Sequence, residues 1–201
     1  MMTVALLIVC AYLIGSIPFG IIVGRMRGFD PRAVGSGNIG MTNVARAGGS
    51  NAAAITFVGD ILKGAIPVAV ARMMGFPPAI LAWVGLAAFL GSIASVFLGF
   101  RGGKGVSASL GVWAVLAPLA LLFALAAFGI TIATSRIMSL ASIIAAIVLV
   151  PAVAALSMPR PYVLLAIAMS ALVLIRHREN IRRLIAGEEK RFEVGKRANV
   201  G

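Results

Sequence analysis

The chain has 201 residues, 61% of them apolar and 12% charged, with a mean hydropathy of +1.05. Soluble domains carry about 45–50% apolar and about 25% charged residues, so these values exclude a soluble globular protein and describe an integral membrane one. The net charge of +12 does not point to nucleic acid, because no basic patch is interleaved with aromatic residues.

Eight of the 18 Lys and Arg lie beyond residue 175 and most others sit in short polar loops, which is the positive-inside pattern. A basic collar of this kind also attracts anionic lipid head groups and anionic substrates.

The N-terminal stretch lacks a positive n-region, and its apolar run is longer than a signal-peptide core. It is predicted to be an uncleaved first span over residues 3–23, loosened near its end by Pro18. Cys10, the only cysteine, lies inside this run and reads as a small core or lipid-facing residue.

Residues 35–43, Gly-Ser-Gly-Asn-Ile-Gly-Met-Thr-Asn, then form a polar Gly-rich loop closed by Arg46, Gly48 and Gly49. Gly35, Gly37 and Gly40 would permit positive φ and a close approach to a ligand. Ser36, Asn38, Thr42 and Asn43 supply hydroxyls and amides, and Arg46 a cationic fork matched to phosphate oxygens. Such a loop can cradle an anion, or it can simply connect two membrane helices.

Further spans are predicted over residues 52–74 and 78–100. In the first of these Asp60 and Lys63, spaced i,i+3, are expected to pair with each other. Residues 101–105, Arg-Gly-Gly-Lys-Gly, follow as a basic turn. The turn is not a P-loop, since Leu98 and Gly105 occupy positions where that pattern needs Gly and Ser or Thr. It still offers Gly102, Gly103 and Gly105 for close backbone approach, Lys104 as a mobile charge, and a following helix N-terminus.

Residues 106–134 would make a helix of roughly 43 Å, against a hydrocarbon core of about 30 Å, with Pro118 in the middle. One bent span or two spans divided near residue 117 are the alternatives. Residues 139–157 and 161–175 complete the apolar runs.

Parity decides between them. Two spans give seven crossings and put the loops at 24–51, 101–105 and 135–138 together with the C-terminal tail on the cytoplasmic side. The positive-inside rule thus predicts an all-α membrane protein of seven helices, N-terminus out and C-terminus in, with every polar cluster on one face. The chain reads as a single domain over residues 1–201, with a basic tail over 176–201.

The third cluster opens that tail. His177 and Asn180 share a helical face, which Arg176 overlaps. His177 is the only histidine, so a site with several His ligands is excluded and no metal is expected. The alternating charges of residues 182–197 read as a solvated amphipathic tail. Ser139 and Ser142 share a face of the sixth span and either close a polar pocket or bond backbone carbonyls.

Taken together, residues 35–46, 60–64 (Asp-Ile-Leu-Lys-Gly), 102–106 (Gly-Gly-Lys-Gly-Val), 139–142 and 176–184 resemble the PlsY family. These are the bacterial membrane glycerol-3-phosphate acyltransferases that use acyl phosphate. The resemblance covers nearly the whole chain in order.

It implies a seven-span fold in the bacterial inner membrane with the site facing the cytoplasm. It also implies transfer of a fatty acyl group from acyl phosphate to the 1-hydroxyl of glycerol 3-phosphate, yielding lysophosphatidic acid and phosphate. On the resemblance, Ser36 and Arg46 carry the first motif. Gly102, Gly103, Lys104 and Gly105 hold substrate phosphate, and His177 and Asn180 are functional. Ser92 stands where the family commonly has His.

An acyl phosphate is already activated, so this chemistry requires no cofactor, metal or covalent nucleophile. It requires orientation of two anions and stabilisation of an oxyanion. The His-x-x-x-x-Asp signature of soluble-type acyltransferases is absent, because Arg182 lies five residues after His177. No protein partner is evident. The competing expectation is a membrane transporter for an organic phosphate anion, whose broken helices would present their N-termini to the ligand.

Overall fold

The structure, a computed structural model, describes residues 1–191, so part of the predicted tail (192–201) lies outside the described residues. Nine α-helices and two short 3-10 turns make up the regular structure there. They are α1 (Met2–Gly15), α2 (Phe19–Met26), α3 (Met41–Met73), α4 (Pro78–Ile93), α5 (Val106–Leu116), α6 (Pro118–Ser135), α7 (Met138–Ala155), α8 (Arg160–Arg176) and α9 (Arg178–Ile185).

The first predicted span is two helices bent by 42°, with Pro18 at the break as its missing N–H dictates. Carbonyls freed at this break cannot meet water inside a bilayer and need partners within the protein. Lys63 Nζ donates to Ile17 O at 3.0 Å and Ser95 Oγ donates to Ser16 O at 2.6 Å, which ties the break to α3 and to the end of α4. The same Lys63 pairs with Asp60 at 2.7 Å, as the i,i+3 spacing leads one to expect.

Residues 106–134 divide at Ala117, and Pro118 starts α6, where its missing N–H costs no helical bond. The break falls where the sequence places it, beside Pro118. Four helices among the described residues are long and apolar enough to cross a membrane, or six if each bent pair counts as one span. A count of seven turns on α5, whose 11 residues rise only about 16 Å.

α5 packs closely against the second half of α3. A Cβ on Gly64 would lie 2.1 Å from Ala108 O, a Cβ on Gly111 would lie 2.0 Å from Ile61 O, and Arg72 donates to Val115 O. The two backbones touch because neither glycine has a side chain. α5 therefore starts level with the middle of α3, and the chain between α4 and α5 dips into the bundle. The core around Phe89, Val112, Trp113, Val84 and Met169 lies beneath this dip and supports it.

Candidate active site

Four chain segments reach the recess left by the short helices. The first is the 31–40 loop, which Asn43 builds. Met41–Gly48 is helical and not part of a loop, and Gly49, with φ +79, interrupts α3 after it. Buried Asn43 therefore projects from the first turn of α3 into the loop. Its Nδ2 donates to Pro31 O (2.6 Å) and Val34 O (2.7 Å), and its Oδ1 accepts from Ser36 N (3.3 Å) and Arg46 Nη1 (3.2 Å).

Both amide donors are thus used within the loop, so Asn43 shapes the site and has none left for a ligand. Gly35 and Gly37 adopt φ of +59 and +68, whereas Gly40 is extended at φ −79 and caps α3, contrary to the sequence expectation. Asn43→Ala is expected to lower stability by about 2 kcal/mol by leaving buried carbonyls unpaired. A thermal melt would show this, along with a higher KM for any anionic substrate held by Ser36 and Arg46.

The second segment is the dip at 99–105. The N–H groups of Gly102 and Gly103 donate to Ile93 O (3.2 Å) and Ser92 O (3.0 Å). Their carbonyls accept from Arg176 Nη2 (2.7 Å) and Nε (3.1 Å). These contacts lock the dip to the ends of α4 and α8. Lys104 is left to project from the rigid turn, and its Nζ donates to Asn180 Oδ1 at 2.5 Å. Ser92, buried, directs its hydroxyl to Phe89 O.

The third and fourth segments are the start of α7 and the α8–α9 junction, where the chain turns by 61°. His177 sits at the turn, 2% exposed, with Nδ1 2.8 Å from Val173 O. A carbonyl only accepts, so Nδ1 carries the proton and Nε2 is left as an acceptor. Ser142 lines the cavity and donates to Met138 O (2.9 Å), so both readings of its hydroxyl hold together.

The charges are unusual. Burial pulls the Lys104 pKa down to about 8; Glu189 opposes the drop, while Arg183, Arg46 and Arg176 add to it. Burial, followed by the charge on Lys104, pushes His177 down to about 4, so its ring is neutral at pH 7.

These segments enclose a cavity of about 480 Å³. At its polar end lie Gly35, Ser36, Asn38, Thr42, Asn43, Arg46, Gly103, Lys104, Gly105, Ser142, His177 and Asn180. Of the residues expected at the site, Gly37, Gly102 and Arg176 do not line it, although Arg176 borders a smaller recess beside Ser36, Asn38 and Lys104. Away from this end the cavity continues between Phe57 of α3, Leu110 of α5, Leu125 and Phe128 of α6, and Ala145 of α7. The site is thus a cationic recess opening into an apolar groove between helices.

Three charged lining residues near the C-terminal end, Arg183, Glu189 and Lys190, are absent from the sequence-based site. They belong to the stretch read as a solvated tail. The described part of that stretch instead folds back, with Glu189 accepting from Ser139, Asn180 and Arg183. Charge alternation alone holds no signal for this.

A family model described as glycerol-3-phosphate acyltransferase matches residues 5–187. The chain belongs to the glycerol-3-phosphate acyltransferase family. It is 48% identical over 193 residues to the glycerol-3-phosphate acyltransferase of Geobacter sulfurreducens, covering 96% of this chain and 100% of that one. It is 51% identical over 188 residues to that of Geobacter metallireducens, covering 94% and 97%.

Two crystal structures of PlsY, an integral membrane glycerol 3-phosphate acyltransferase, share the fold. The glycerol 3-phosphate form superposes with a TM-score of 0.91 and the lysphosphatidic acid form with 0.88. Both are 41% identical and cover 95% of this chain and 96% of theirs. As a member of this family the protein is an integral membrane acyltransferase.

Proposed function

We propose that the protein transfers a fatty acyl group from acyl phosphate to the 1-hydroxyl of glycerol 3-phosphate, releasing lysophosphatidic acid and phosphate. The observation that carries this reading is the single cavity with Lys104, Arg46 and Arg183 at one end and an apolar groove at the other. An acyl phosphate has that division of polarity, with an anionic head and an alkyl chain. The ligand forms of the solved relatives support glycerol 3-phosphate as acceptor and the lysophosphatidic acid product.

In the proposed step the 1-oxygen of glycerol 3-phosphate attacks the acyl carbonyl carbon, the bond from that carbon to the phosphate oxygen breaks, and phosphate departs. The hydroxyl proton goes to the departing phosphate. Arg46 and Lys104, with the Ser36 hydroxyl, hold the anions and stabilise the developing oxyanion. Gly35, Gly37, Asn38 and Thr42 shape the approach on one side. The Gly102–Gly105 turn and Arg176 hold Lys104 on the other, and Ser142 lines the wall towards α7.

His177 accepts a hydrogen bond from the acceptor hydroxyl through Nε2 and orients it. A pKa of about 4 makes it too weakly basic to drive deprotonation by itself. His177→Gln is accordingly expected to reduce turnover about tenfold or less, whereas general bases contribute about 100- to 10,000-fold. Turnover numbers at pH 7 and 8 check this, and a loss of the larger size would reinstate a base role.

The whole chain acts as one acyltransferase domain in the bacterial inner membrane. Its basic loops favour seven crossings with N-terminus out, C-terminus in and the recess facing the cytoplasm. The test is phosphate release by purified protein in detergent with palmitoyl phosphate and glycerol 3-phosphate. Release that needs both substrates supports the proposal, and uptake into liposomes without release would replace it with transport.

A further inference from the structure

The polar end of the cavity is closed by the chain that follows α9, as well as by helices. Gly187 adopts φ +72 and ends α9; its N–H donates to Leu184 O and that of Glu188 to Arg183 O, which reverses the chain. The reversal brings Glu189 back over the recess, its side chain only 10% exposed.

Its Oε1 accepts from Ser139 Oγ (2.7 Å) and Asn180 Nδ2 (2.5 Å), and its Oε2 from Arg183 Nε (2.6 Å). Asn180 in turn accepts from Lys104 through Oδ1. A carboxylate can only accept and an ammonium can only donate, so together they leave the Asn180 amide one orientation. The chain of bonds runs from α7 through Glu189 and α9 to the loop before α5.

We propose that Glu189 is a positioning residue for acyl transfer, fixing the Asn180 amide so that the Lys104 ammonium is held in the cavity for the anionic substrates. The inference rests on the site reading given above. Lys104 is faced by Arg46 from α3, Arg176 and His177 from the end of α8, Arg183 from α9 and Glu189 from the returning chain. The Asp60–Lys63 pair of α3 and Lys190 of the returning chain line the same cavity.

Among the described residues, Glu189 is the charge acting on Lys104 that favours its protonated form. Burial pushes Glu189 itself up, but its hydrogen bonds from Ser139, Asn180 and Arg183 hold it below the usual carboxylate range, so it stays ionised in the working pH range. Without its charge, Lys104 keeps the burial and the three arginines and loses the opposing carboxylate. Its proton then comes off at lower pH, and anion binding fades from the alkaline side.

The experiment is a pH series of phosphate release by the purified full chain with palmitoyl phosphate and glycerol 3-phosphate, comparing wild type, Glu189→Gln, Glu189→Asp and Lys104→Gln. For Glu189→Gln the alkaline limb of kcat/KM is expected to move down by about one pH unit. The KM for glycerol 3-phosphate at pH 8 should rise about fivefold, with a smaller change in kcat, since a fall of about one unit from a pKa of about 8 takes the protonated fraction at that pH from about a half to about a tenth. Glu189→Asp, which keeps the charge, should recover most of the limb position.

A wild-type limb and KM in Glu189→Gln would overturn the inference even if the variant melts earlier, since a mere tether affects stability alone. Should Glu189→Gln not purify folded, Ser139→Ala carries the test. It removes one of the donors to the carboxylate and loosens its hold on Asn180 while leaving the charge in place, so the limb should stay and the KM for glycerol 3-phosphate should rise a few-fold; an unchanged KM overturns the inference too. Lys104→Gln separates the two readings. If it is inactive while Glu189→Gln behaves as wild type, only the role of Glu189 fails; if it retains wild-type kcat/KM and limb, the site reading fails and takes this inference with it.

Discussion

Lys104→Gln is expected to lower kcat/KM about a thousandfold, the scale seen when one preorganised charge is removed from a developing oxyanion. The side chain stands on a turn locked by four backbone contacts, two to Ile93 and Ser92 and two from Arg176, and it ends on Asn180. Glutamine keeps most of the length and can still bond the amide, so the loss isolates the charge. Phosphate-release kinetics with both substrates varied give the number, and a loss below about tenfold would mean that Arg46 and Arg183 suffice.

Wild-type kcat/KM should also fall as pH rises through about 8. The sign follows from burial, which lowers the pKa: the cation is present below that value and lost above it. Lys104→Gln should lack this limb, which a pH series would reveal.

Gly105→Ala is expected to destabilise the protein by about 3 kcal/mol and to abolish activity in whatever remains folded. Two effects add. Gly105 holds φ at +80, where a Cβ is strained, and that Cβ would lie 2.4 Å from Phe89 Cε2 and 2.7 Å from Ile93 Cγ2. Phe89 is completely buried and cannot swing away. Relief would have to come from the turn itself, which displaces Lys104.

Gly129→Ala in α6 is the matched control, because a Cβ there meets nothing within 4 Å. It should be neutral or slightly stabilising by helix propensity. Detergent-solubilised melting curves of the two variants, measured side by side, provide the comparison. Equal stability would show that the dip at 99–105 is more pliable than its contacts imply.

How much of this was legible in the sequence depends on the range of the interaction involved. The division at Pro118 was legible because a proline acts on its own helix. The Asp60–Lys63 pair was legible because i,i+3 neighbours meet in any helix. The gathering of Ser36, Arg46, Lys104, His177 and Asn180 at one cavity follows from the charge distribution of the loops, combined with the resemblance of the motifs.

The roles within the site were less legible. Asn43, Gly102 and Arg176 carry the residue types of a phosphate cradle, but their hydrogen-bonding groups meet other parts of the chain. Composition says what a residue can bond and cannot say what reaches it first.

The sequence alone determined the membrane class, the helix count near the break at Pro118, the family motifs and the clustering of the cationic groups in a few short loops. Each of these depends on composition or on neighbours a few residues apart. Only the tertiary structure decided that α5 starts half-way along α3, which sinks the Lys104 turn into the bundle. It also decided that Glu189, 85 residues after Lys104 in the sequence, closes the recess from a stretch that reads as solvated tail. Both depend on contacts between distant segments, Gly64 against Ala108 and Glu189 against Ser139, for which no local pattern encodes the partner.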